Sequence, residues 1–124
     1  MIDLLYKDES YKIVGAAYEV FNELGAGLAE KYYQKGLAQK LKGLGFEVEE
    51  QVPFEILSDN KSIGRQLLDF VVNKSIVLEL KVDNRFRKDH LRQIFAYLKK
   101  SNLKLGIILL FTKNEVRQYR VLNS

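Results

Sequence analysis

Apolar positions recur at helical spacing from about Asp8 to Leu24, where Val14, Ala17, Tyr18, Phe21 and Leu24 form one stripe. Gly25-Ala26-Gly27 ends that helix, because glycine readily takes the left-handed conformation that closes one. A second helix is predicted from about Leu28 to Leu44, with Tyr33, Leu37, Leu41 and Leu44 as its stripe and Gly45 as its stop. Carried one turn towards the N-terminus, this stripe reaches Glu30, so the acid points inward or along the core edge. A first-turn acid also complements the helix dipole, so its position has an ordinary explanation.

The period then changes from helical to alternating. Phe46 to Leu57 reads as a strand with Val52, Phe54 and Ile56 on one side, and Pro53, which has no amide donor, places it at a sheet edge. Ser58 to Ser62 reads as a turn, and a hairpin follows from about Ile63 to Val82. A helix is predicted from about Lys88 to Lys100 with Leu91, Ile94, Phe95 and Leu98 facing the core, while His90, Gln93 and Tyr97 share a neighbouring polar stripe. Leu105 to Phe111 is a short continuous apolar run, the pattern of a buried strand, and Val116 to Leu122 alternates as a last strand. A helix between the hairpin and a buried strand implies a right-handed crossover and a parallel central pair. The expected fold is α/β (α+β), a mixed sheet of about five strands flanked by helices in the order α-α-β-β-β-α-β-β, as one domain over residues 1–124.

The hairpin contains an anomaly. Asp69 lies within LLDFVV and Glu79 within IVLELKV, where a core strand is normally apolar. If Asn73 to Ser75 form a three-residue connection, Val72 faces Ile76, Phe70 faces Leu78 and Asp69 faces Glu79. Leu68, Phe70, Val72, Ile76, Leu78 and Leu80 then make one apolar face, and Asp69, Glu79 and Lys81 the other. A two-residue turn would shift the register by one and put Glu79 among the apolar side chains. Opposed residues have Cβ atoms ~4.5–5.5 Å apart, and like charges there repel. A divalent cation, a shared proton or the Lys81 ammonium would offset the repulsion, with the cation the leading idea. The plainer alternative puts Asp69 at a frayed strand end and makes Glu79 a solvent-facing partner of a lysine.

Composition narrows the chemistry. The chain has 124 residues, 47% of them hydrophobic and 29% charged, ordinary for one soluble domain with its own core. With no cysteine there is neither a thiolate site nor a cysteine nucleophile, and the single histidine, His90, makes a Ser-His-Asp triad or a histidine-rich metal site improbable. MIDLLYKDES lacks the features of a secretory signal, and no apolar run approaches the ~20 residues that span a bilayer, so a cytoplasmic protein without membrane contact is expected. Residues 1–60 carry six Lys or Arg against eleven Asp or Glu, and residues 61–124 fourteen against five. A basic half that coincides with the suspected site suggests a polyanion, nucleic acid first, although lysine-rich solvated surfaces are common.

A carboxylate on one strand followed ten residues later by Glu-x-Lys on the next, then a helix and a further strand, is similar to the core of the PD-(D/E)XK nuclease superfamily. Asp69 and Glu79-Leu80-Lys81 carry that resemblance, and Glu30 is similar to the acid many members place on the preceding helix. Gly27-Leu28-Ala29-Glu30-Lys31-Tyr32-Tyr33 resembles the signature of the GxxExxY branch. So does the later order Gln51-Val52-Pro53, Asp69, Glu79-Leu80-Lys81, Gln93 to Tyr97-Leu98, and Lys104-Leu105-Gly106 leading to Phe111. The likeness runs from about Tyr11 to Leu122, and the proline that names the superfamily is Leu68 here.

The resemblance implies a metal-dependent nuclease hydrolysing phosphodiester bonds of DNA, with a Mg²⁺ (or Mn²⁺) ion held by Asp69, Glu79, the Leu80 carbonyl and, directly or through water, Glu30. Lys81 would orient the attacking water and offset transition-state charge, with Gln93 and Tyr97 as positioning groups. Arg85, Arg87, Lys88 and Arg92 would hold phosphates without reading sequence, and a homodimer would cover both strands of a duplex more easily than one small chain. Two rivals remain. One is a non-catalytic nucleic-acid-binding or protein-interaction module that keeps the fold, and the other is a metal-free structural protein whose acids are quenched by Lys81 and Arg65.

Overall fold

The computed structural model describes residues 5–123. The first residues of the stretch read for a secretory signal, 1–4, and residue 124 of the expected domain lie outside the described residues. Helices α1 (Lys7–Leu24) and α2 (Glu30–Gly43) precede strands β1 (Val48–Ser58), β2 (Lys61–Val72) and β3 (Ile76–Val82), followed by α3 (Lys88–Ser101), β4 (Leu105–Phe111) and β5 (Val116–Leu122). The five strands form one sheet in sequence order, with β3 and β4 parallel and the other neighbours antiparallel. The expected architecture and its parallel central pair are therefore present. Among the described residues no helix is long and apolar enough to cross a membrane.

All seven residues of β4 are buried, because helices cover both faces of the sheet. On one face Ile13, Ala17 and Val20 of α1 and Tyr33, Leu37 and Leu41 of α2 pack on Phe70, Leu78, Leu80, Leu109 and Phe111. On the other, Ile94 and Leu98 of α3 pack on Leu68, Val77, Ile108 and Val121. Four residues expected on core stripes are instead exposed: Tyr18, Leu24, Leu44 and Phe95. Tyr18 and Phe95 flank the strips that touch the sheet, whereas Leu24 is the last residue of α1 and Leu44 lies just past the end of α2, beyond the cover of the sheet.

Gly106 is where α3 comes closest to the sheet. A Cβ there would lie 2.6 Å from Ile94 Cδ1 and 2.8 Å from its Cγ1. Since Ile94 is itself fully buried, it has nowhere to retreat. Gly106→Ala is expected to destabilise the domain by about 1–3 kcal/mol, the usual cost of overpacking, read as a lower melting temperature. An unchanged melting temperature would show that α3 can slide outward.

The β1–β2 pair continues well past the point where β2 leaves β3. The β2–β3 ladder holds only Phe70–Leu78, Val71–Val77 and Val72–Ile76, whereas β1 and β2 stay paired to Ser58–Lys61. Asp59 and Asn60 both take positive φ in the tight turn at its tip. The result is a hairpin arm that lies alongside α3. Tyr97 sets its ring edge-on against Phe54 at 5.6 Å, and Lys100 Nζ donates to the Glu55 carbonyl at 3.4 Å. Pro53 lies on the edge strand, as expected, opposite Leu67. The Leu67 carbonyl accepts from Gln93 Nε2 at 3.1 Å, which ties this part of β2 to α3.

Candidate active site

The three-residue connection Asn73–Ser75 and the pairing of Phe70 with Leu78 are as the alternation predicts. The ladder ends there, however, so Asp69 and Glu79 do not face each other as a laddered pair. Their side chains take over where backbone pairing stops. Leu80 N–H donates to Asp69 Oδ2 at 2.8 Å, and Asp69 N–H donates to Glu79 Oε1 at 3.2 Å. Each carboxylate thus accepts from the backbone of the other's strand and closes the fork between β2 and β3. Alternation also breaks at this point. Gln51, between the Glu50–Phe70 and Val52–Leu68 pairs, takes φ +52°, and Leu68 joins the α3 face instead of the face of Phe70 and Val72. A strand that changes twist at a fork loses strict two-residue periodicity.

Both acids are buried, Asp69 8% and Glu79 1% exposed. This removes the alternative of a frayed end and a solvent-facing glutamate. Desolvation raises the Glu79 pKa to about 8, and the Asp69 charge pushes in the same direction while the Lys81 ammonium opposes it. Burial also raises Asp69, against the Leu80 N–H bond and Lys81. The two carboxyls are neighbours, so burial and mutual repulsion favour a proton, or a cation, over two adjacent negative charges. Lys81 Nζ stands 3.7 Å from Glu79 Oε2 and is partly exposed, at the mouth of the pair.

The third acid reaches this site through the α1–α2 loop. Gly27 takes φ +94°, a conformation that favours glycine, and turns the chain into α2. The Tyr33 hydroxyl, buried in the core, donates to the Gly25 carbonyl and accepts from Leu28 N–H, so it pins that loop at both ends. Its ring packs against Phe111 at 4.7 Å, and Phe111 is the parallel partner of Val82. Glu30, one turn before Tyr33, therefore arrives at the end of β3, where its Oε1 accepts from Val82 N–H at 3.0 Å. The spacing Gly27, Glu30, Tyr33 is thus a turn, an acid carried to the end of β3 and the anchor that holds it. Partial burial raises the Glu30 pKa, with Asp69 contributing to the rise.

Gln34 is a site residue that the sequence pattern does not single out. Its Nε2 donates to Glu30 Oε2 at 3.4 Å, and its amide is near enough to Asp69 to favour that group's charged form slightly, so it stands between the helix acid and the hairpin acid. The available signal is its position one turn after Glu30. Of the three polar residues predicted to share a face of α3, none hydrogen-bonds an acid of the site. His90 Nδ1 accepts from Arg87 N–H at 3.1 Å and closes a capping box at the start of α3, with Nε2 3.5 Å from Asp83 Oδ2. Gln93 holds the Leu67 carbonyl, two residues from Asp69. Tyr97 belongs to the hairpin arm, and burial and then Glu49 raise its pKa.

The four expected phosphate-binding cations are all exposed, at the end of the sheet beyond Lys81. Among the described residues Arg85 and Lys88 carry no ion pair, whereas Arg87 is tied to Asp83 at 2.7 Å and Arg92 lies 3.7 Å from Asp89. Arg65, expected on one reading to quench the carboxylates, is on the arm opposite Glu55.

Residues 7–121 match the PD-(D/E)XK nuclease superfamily. The chain belongs to that superfamily. Members of the PD-(D/E)XK superfamily are generally hydrolytic nucleases that use divalent metals. Among solved structures, the crystal structure of SSO0001 is similar, with 22% sequence identity and a TM-score of 0.58 over 97% of this chain. At that identity the likeness is one of fold, and this chain spans 60% of the length of that one. No curated protein matches.

The residues present fit a divalent cation in part. Two neighbouring buried oxygen-donor carboxylates, both with raised pKa, are a pair that a hard cation would relieve. Glu30 stands apart from that pair at the end of β3, with its two oxygens accepting from Val82 N–H and Gln34 Nε2. Among the described residues no group of three His, Cys, Asp or Glu is arranged to hold a metal. Glu30 therefore suits a ligand acting through water better than a direct one.

Proposed function

We propose that this PD-(D/E)XK domain is a divalent-metal-dependent nuclease that hydrolyses phosphodiester bonds of DNA, and that it belongs to the GxxExxY branch. The observation that carries the reading is the Asp69–Glu79 pair buried at the fork of β2 and β3, with Lys81 at its mouth. Asp69, Glu79 and the Leu80 carbonyl would hold Mg²⁺ or Mn²⁺, with Glu30 acting through water. When bound, the ion polarises the phosphate and lowers the pKa of a water molecule.

The protein's own groups do the rest. Asp69 and Glu79 are held by backbone N–H groups, so they keep their positions when the proton leaves. Lys81, fixed beside Glu79, places a positive charge where the phosphate gains negative charge in the transition state. Gln34 holds Glu30 and stands beside Asp69. Arg85 and Lys88 are the first contacts for phosphates entering from the β3–α3 connection, with Arg87 and Arg92 released from Asp83 and Asp89 as phosphates replace them. The protein would act in the cytoplasm, and a homodimer would bring two such sites to the two strands of a duplex.

One observation favours a second reading. The bonds from Leu80 N–H and Asp69 N–H give both acids a structural task that needs no metal. On that reading the domain binds nucleic acid without cutting it. Plasmid and single-stranded DNA incubated with Mg²⁺, with Mn²⁺ or with chelator separate the two. Cleavage that requires the cation and falls about tenfold or more in Lys81→Ala supports the nuclease. Binding without cleavage under every condition supports the module, and equal degradation by wild type and Lys81→Ala would show that the site is elsewhere.

A further inference from the structure

The outer face of α3 carries two residues that the proposed chemistry leaves unused, Phe95 and Lys99, in line with Lys88 and Arg92. Lys88, Arg92, Phe95 and Lys99 recur at intervals of four, three and four residues, so they lie on one stripe turned away from the buried Ile94 and Leu98. Phe95 is 41% exposed and belongs to neither hydrophobic cluster, so it does not serve the core. Lys99 Nζ sits 5.9 Å from its ring centroid. The one acid on this face, Asp89, makes only an exposed pair with Arg92, which a phosphate can displace. The stripe begins directly after the connection leading away from Lys81, and Lys88 to Lys99 spans ~16 Å along the helix at ~1.5 Å per residue.

We propose that this stripe is a track for a single strand of nucleic acid, in which the cations take successive phosphates and Phe95 stacks on an unpaired base. The inference rests on the reading of the domain as a nucleic-acid enzyme and adds the form of the substrate. A duplex would use the cations and leave Phe95 idle, because its bases are already stacked on one another. A single strand offers phosphates and open base faces together, which matches an exposed aromatic ring placed between cations one helical turn away on each side. One aromatic among three cations is too little apolar surface to enter a bilayer.

Fluorescence anisotropy of labelled oligothymidine and of a duplex of equal length, measured in chelator so that neither is cut, tests the assignment. Phe95→Ala is expected to weaken binding of the single strand about tenfold, in line with the usual contribution of base–aromatic stacking, and to change duplex binding by less than about twofold. Phe95→Tyr should restore it, and Lys99→Ala should weaken both ligands and flatten the salt dependence. Phe95→Ala binding both ligands like wild type, or losing both equally, would overturn the track. So would binding to anionic lipid vesicles that depends on Phe95 with no effect on the oligonucleotide. If the wild type binds neither nucleic acid, the nucleic-acid reading itself falls, a result distinct from a Phe95 variant that behaves like wild type.

Discussion

Replacing Asp69 by Asn or Glu79 by Gln is expected to lower metal-dependent DNA cleavage by on the order of 100-fold or more, the scale seen when one preorganised charge-stabilising group is removed. Both substitutions keep the size of the side chain and an oxygen in the acceptor position. In Asp69→Asn the amide oxygen can still accept from Leu80 N–H, and in Glu79→Gln it can still accept from the N–H of residue 69, so the fork between β2 and β3 stays closed. What disappears is the negative charge that binds a cation. The same variants should lose the rise in melting temperature that Mn²⁺ gives the wild type, because a ligand stabilises only through a site it occupies. Steady-state cleavage and thermal unfolding, each with and without Mn²⁺, check the two halves separately. Full activity in either variant would remove that acid from the mechanism, and activity lost with the Mn²⁺ effect intact would assign it to chemistry rather than to metal binding.

Without metal, the protein should become less stable as pH rises from about 4.5 to about 8. A glutamate in the unfolded chain ionises near 4.5, whereas Glu79 in the fold holds its proton to about 8. Between those values the folded state carries a proton that the unfolded state has released, so each increment of pH favours unfolding. The stabilisation is complete below the lower value and is lost on passing the upper one. Raised values for Asp69 and Glu30 act in the same sense. A tenfold difference in proton affinity between the folded and unfolded states is worth about 1.4 kcal/mol, so the loss across the window is several kcal/mol and the fall in melting temperature on the order of 10 °C. Glu79→Gln should flatten the profile, as should saturating Mg²⁺ or Mn²⁺, which replaces the proton. A melting temperature in chelator that stays constant from pH 5 to 8 would contradict a buried pair that holds a proton.

These effects arise at residues whose types are legible in the chain and whose contacts are not. Asp69 and Glu79 stand out because an acid inside LLDFVV or IVLELKV interrupts a core pattern, and the register of their hairpin follows from its short connection. Alternation puts Leu68 on the wrong face because it assumes a regular strand, and β2 turns at the fork where β3 leaves it. Periodicity puts Phe95 in the core because it marks a wide stripe of which the sheet covers only a part, and Leu44 because it carries the stripe past the residue where α2 ends. Helical spacing groups His90 and Tyr97 with Gln93, yet each finds a nearer partner, the α3 capping box and Phe54. Gln34 carries no distinguishing signal, because an amide one turn after a glutamate is common on any helix surface.

The sequence by itself determined the order of elements, the central parallel pair, the hairpin register and the placement of Asp69, Glu79 and Lys81 near one another. All of these follow from local rules: the two periods, turn chemistry and short connections. Only the tertiary structure decided that Glu30 reaches Val82 across 52 residues, that Gln34 stands between it and Asp69, and that Asp69 and Glu79 close the fork by accepting from the backbone of each other's strand. Such contacts depend on how the face of α2 seats on the sheet, with Tyr33 wedged against Phe111, and on where β2 parts from β3. Periodicity records which face of an element is apolar, but not how far along its neighbour that face comes to rest.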